Sequence, residues 1–229
     1  MPYKNIKKIT DNWLKMAADR SSELYGGLLE VSHSEKKIKH VIDDLEKVER
    51  AFTESTKDLS DLNGLIIAEA PQSHAQYFYR KETSENENNT FLNPAHFDVN
   101  NREDLKKLIT DKKLMVFDVC ILPLPSIIYD QNASKKIFKE EAWSADYKDL
   151  LDEYWSEKLK NKKFDPTQLK FFIRYAKVKN KRIEWDWFKD WYSNKYNCSK
   201  AIIDDNTHDI YKNYEADPDA VKKLFKKLI

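Results

Sequence analysis

Glycine is almost missing from this chain: Gly26, Gly27 and Gly64 are the three in 229 residues, far below the usual share of about 7%. Phosphate-binding loops and dinucleotide fingerprints need several glycines around one strand–helix turn, because backbone amides must approach phosphate closely. Those loops are excluded. Cysteine is rarer still. With only Cys120 and Cys198, one chain cannot build a disulfide framework, a four-cysteine zinc site or a four-cysteine iron–sulfur cluster. No apolar run approaches the roughly 20 residues of a membrane helix. Met1-Pro2-Tyr3-Lys4-Asn5 leads into a charged amphipathic stretch rather than an apolar signal core. A cytoplasmic protein without a membrane partner is expected. No cofactor is implied, and no His/Asp/Glu/Cys set has the spacing of a metal site.

What is present suits a folded chain. Hydrophobic residues make up 41%, aromatics 13% and charged residues 34%, too apolar a balance for disorder. The length fits one sizeable domain or two small ones, with a buried core in reach. A single α/β domain over 1–229 is expected, with 1–62 as a helical N-terminal extension packed on it. In that extension Ile6, Ile9, Trp13 and Met16 share a helical face, and Leu24, Tyr25, Leu28 and Leu29 form a short second run. Ser34 opens a stronger helix carrying Ile38, Val41, Ile42, Leu45, Val48 and Phe52.

The pattern changes at Gly64. Leu65-Ile66-Ile67-Ala68, ended by Pro71, reads as a strand buried on both faces. Leu114 to Leu122 repeats that pattern and ends at Pro123. Between them Leu105, Leu108 and Ile109 mark a short helix behind Asn100 and Asn101, and strand–helix–strand at this separation predicts a parallel crossover. Ser144 opens a helix bearing Tyr147, Leu150, Leu151, Tyr154, Trp155 and Leu159. Leu169 to Val178 is the third expected strand, and Trp187, Phe188, Trp191 and Tyr192 form a helical stripe. Ala201-Ile202-Ile203 is the fourth expected strand, and Asp217-Pro218 caps a last helix. The expected fold class is α/β: a three-layer α/β/α sandwich around a central, mostly parallel sheet of about four strands, with extra N-terminal helices. Thr83 to Thr90, polar and rich in Asn and Glu, reads as a surface loop or a lid.

Ligands of open parallel sheets bind beyond the carboxyl ends of the strands. The first strand runs into Glu69-Ala70-Pro71-Gln72-Ser73-His74, then Tyr77-Phe78-Tyr79. Where an apolar strand meets a turn, a half-desolvated Glu69 would have a raised pKa suited to proton transfer. A glutamate capping the next helix, or pairing with a lysine, would leave the same pattern. Asp118 interrupts the second apolar run and needs a hydrogen-bonding partner if buried. Its alternative is a structural anchor for a loop. Cys120 is most simply a small core residue.

Leu65 to Pro71 followed by Tyr77-Phe78-Tyr79 resembles the first motif of the uracil-DNA glycosylase superfamily, in which a strand enters Gly-Glu-Ala-Pro or a variant with an aromatic downstream. Phe117-Asp118-Val119-Cys120-Ile121-Leu122-Pro123 is similar to that superfamily's second-strand segment, often carrying Asn. The resemblance implies a three-layer fold and an N-glycosidic bond as substrate. It assigns Glu69 and His208 to catalysis, and Pro71, Tyr77, Phe78 and Asp118 to the base. Tyr77 or Phe78 would stack on an extruded base, Glu69 would orient water or stabilise the cationic sugar, and His208 would donate to the departing base. His74 and His96 are alternative donors. Ala68 replaces the motif's glycine, Asp118 its asparagine, and no His-Pro-Ser motif follows. A divergent member with another substrate, or none to cleave, fits the same residues.

Charge is uneven along the chain. Residues 1–150 hold 22 basic and 26 acidic side chains, a balance of −4, and residues 151–229 hold 18 and 13, a balance of +5. Lys160–Lys200 has 12 Lys/Arg against 4 Asp/Glu and ten aromatics between Phe164 and Tyr196. Cations neutralise phosphate and exposed rings stack on unpaired bases. Lys177, Lys179, Lys181 and Arg182 are the candidate contacts to DNA or another nucleic acid. Rings packed in a core beneath a solvated lysine loop would give the same composition. Three functions follow: a glycosylase-like enzyme, a non-catalytic nucleic-acid or nucleotide-binding module on that fold, or a protein-interaction component docking through its N-terminal helices.

Overall fold

The computed structural model describes residues 6–12, 45–68, 94–118, 143–173 and 183–209. The chain divides into two compact units. One comprises Met1–Arg50, Ala70–Tyr77 and Cys120–Lys160, and the other Ala51–Glu69, Phe78–Val119 and Asn161–Ile229.

In the first unit, residues 6–12 are helical with Ile6 and Ile9 buried, and the helix over 45–56 begins there with Leu45 and Val48 inward. The helix Ala145–Leu159 (α2) starts where Ser144 accepts a hydrogen bond from the Tyr147 amide. All six residues of its expected stripe are buried. One charged residue joins them: Lys158, paired with Glu49 and 5.4 Å from the Tyr154 ring centroid.

The second unit holds the sheet. Strands β1 (Gly64–Ala68), β2 (Leu114–Asp118), β3 (Lys170–Ile173) and β4 (Thr207–Asp209) lie in the order β2-β1-β3-β4, and every pairing is parallel. Leu65, Ile66 and Ile67 are fully buried, as a central parallel strand covered on both faces requires. Helix α1 (Arg102–Asp111) links β1 to β2, and α3 (Ile183–Tyr196) with the short α4 (Lys200–Asp205) links β3 to β4. The two crossovers step in opposite directions from the sheet's middle. Right-handed connection therefore puts α1 and α3 on opposite faces and makes three layers. Phe171 meets the α3 face, its ring centroid 5.1 to 6.3 Å from those of Trp185, Phe188 and Tyr192. The expected α/β fold is thus observed. Among the described residues no helix is long and apolar enough to cross a membrane.

Two elements differ from the sequence expectation. Ala201-Ile202-Ile203 is helical, within α4, because Ser199 caps it by accepting from the Ala201 amide and only Ile203 needs burial. The fourth strand starts at Thr207 instead. In α3, Trp185 is buried with Phe188 and Tyr192, whereas Trp187 is half-buried and stacks on Trp191 at 6.1 Å. Residues 174–178, expected to continue β3, and the C-terminal helix after Asp217 lie outside the described residues, as do 83–90.

Gly64 begins β1 because nothing larger fits. A Cβ there would stand 2.9 Å from the Lys170 carbonyl oxygen, 2.9 Å from the Phe172 ring and 3.0 Å from a Leu114 methyl. Gly64→Ala should destabilise the fold by about 1–3 kcal/mol, read as a lowered urea midpoint with an unchanged slope. Lys113, between α1 and β2, takes a left-handed conformation (φ 57°) that favours glycine. Its ammonium pairs with Asp61 at 3.3 Å, but both groups are about half exposed, so the pair contributes little. Lys113→Gly should therefore raise stability by about 0.5 kcal/mol, seen as a higher melting temperature.

Candidate functional site

Strand order decides where a site can lie. β1 steps outward to β2 on one side and the chain returns to β3 on the other, so the winding reverses between β1 and β3. In open parallel sheets the ligand crevice lies beyond the carboxyl ends at such a reversal. The β1 tip is the centre of that edge. Ala68, its last residue, pairs with Asp118 at the end of β2, and Ile67 pairs with Ile173 at the end of β3.

Asp118 stands one strand spacing, about 4.8 Å, from Ala68. Glu69 follows Ala68 directly in the chain. Glu69 itself lies outside the described residues, with Pro71, Tyr77 and Phe78, and so do Lys177, Lys179, Lys181 and Arg182. His74 is outside them too. His96 falls in the 3-10 turn Pro94–Phe97.

His208 is within β4. It pairs with Phe172, which pairs with Ile66, so it stands two rows short of the Ala68–Asp118 row. Three strand spacings separate it from β2, roughly 14 Å across the sheet. Its ring lies flat on Phe172, centroids 5.4 Å apart and planes 12° from parallel, and is half-buried. The backbone register sets Ala68 beside Asp118 and leaves His208 apart from both.

The aromatic-rich segment resolves mostly into core. Of the ten rings between Phe164 and Tyr196, six are buried: Phe171, Phe172, Trp185, Phe188, Trp191 and Tyr192. Burial pushes the Tyr192 hydroxyl well above its usual pKa and raises that of Tyr196 to about 12. Tyr192 donates to the Pro166 carbonyl at 3.2 Å. Such rings hold α3 on the sheet and are closed to a stacking base. Burial likewise raises the Cys198 thiol pKa, which leaves it a poor nucleophile. Among the described residues no cluster of three His, Cys, Asp or Glu side chains has the arrangement of a metal site.

Fold and edge together define a doubly wound, four-stranded parallel α/β protein whose candidate site is the carboxyl end of its central strands. No family model, no curated protein and no solved structure matches the chain.

Proposed function

We propose that the chain binds a base within nucleic acid at the carboxyl edge of its sheet and hydrolyses that base's N-glycosidic bond, as a divergent uracil-DNA glycosylase-like protein. The observation that carries the proposal is the pairing of Ala68 with Asp118 beside the reversal of strand order. It supports a crevice flanked by two carboxylate residues, Glu69 and Asp118. Breaking a glycosidic bond develops positive charge on the sugar, and a carboxylate at this edge would stabilise it and take a proton from attacking water. Asp118 would face the base as an acceptor.

A second reading, a non-catalytic binding module on the same fold, is favoured by His208. Its ring stacks on Phe172 in the body of the sheet, which suits a packing role better than proton donation at the edge. Oligonucleotides carrying uracil or a damaged base separate the two readings. Incubation followed by alkaline cleavage should reveal abasic sites. Binding of these oligonucleotides with no abasic product from any of them would establish the binding module instead.

A further inference from the structure

We draw no further inference here: the strongest candidate, the aromatic face of α3 where the half-buried Trp187 stacks on Trp191, is an apolar patch, and nothing in the structure shows what covers it.

Discussion

Glu69→Gln should lower base release from a uracil- or lesion-bearing oligonucleotide by about 10²- to 10⁴-fold, the range that a positioned acid–base group contributes. The substitution keeps the size and shape of the side chain but removes its charge and its capacity to take a proton. In the proposed reaction the bond between sugar C1′ and the base nitrogen breaks and the base leaves with the electron pair. Water adds its oxygen to C1′, and its proton passes through the carboxylate toward the departing base. Glutamine could hold the water but could not accept the proton or balance the cationic sugar. Affinity for the oligonucleotide should change far less than turnover, because the role proposed for Glu69 is at the reacting sugar and not at the phosphates. The measurement is a single-turnover rate beside a melting curve. A folded Glu69→Gln protein with full turnover would remove Glu69 from the mechanism, whatever the fate of the wider function.

The sheet was legible in the chain wherever burial is two-sided. Leu65-Ile66-Ile67 and Leu114-Met115-Val116 are continuous apolar runs, and they form β1 and β2. The helix starts were legible through capping chemistry. Asn101 accepts from the Asp104 amide at 2.9 Å, and Ser144 opens α2. β4 was not legible. Thr207-His208-Asp209 has no apolar signature, because an edge strand is held by backbone pairing to β3 and by the stacking of one ring on Phe172. Ala201-Ile202-Ile203 imitated a strand because three apolar residues carry no period, and the serine cap upstream decides the matter. For the site, local pattern pointed to the β1 and β2 tips, and their pairing places Asp118 beside Ala68. It could not reveal that β3 is the other neighbour of β1, since strand order is a property of the whole chain.

Glu49→Ala should cost about 3 kcal/mol of stability, while Lys158→Met with Glu49→Leu should be close to neutral. The Lys158 side chain is 4% exposed and that of Glu49 19%, so the carboxylate keeps some water and the ammonium almost none. Removing the carboxylate leaves a charge in the interior without its counter-ion, the most costly way to break such a pair. Replacing both groups with apolar side chains removes the desolvation penalty along with the attraction, and Lys158 already lies over the Tyr154 ring on the buried face of α2. Burial also depresses the Lys158 pKa, outweighing the pull of Glu49. Between that depressed value and the ordinary 10.5 the unfolded chain holds the extra proton. The Lys158 contribution therefore makes stability rise with pH across the window and is unfavourable below it. Tyr192, Tyr196 and Cys198, with raised values, act in the opposite direction, and Lys162, lowered by burial, acts in the same one; all four are common to wild type and the double variant, so the difference between the two proteins isolates Lys158. Urea unfolding of wild type and the double variant at about pH 7 and 9.5 should show stability changing more favourably with pH in wild type than in the double variant. Equal pH dependence in both proteins would mean that Lys158 stays charged throughout, held by Glu49 more tightly than burial opposes it.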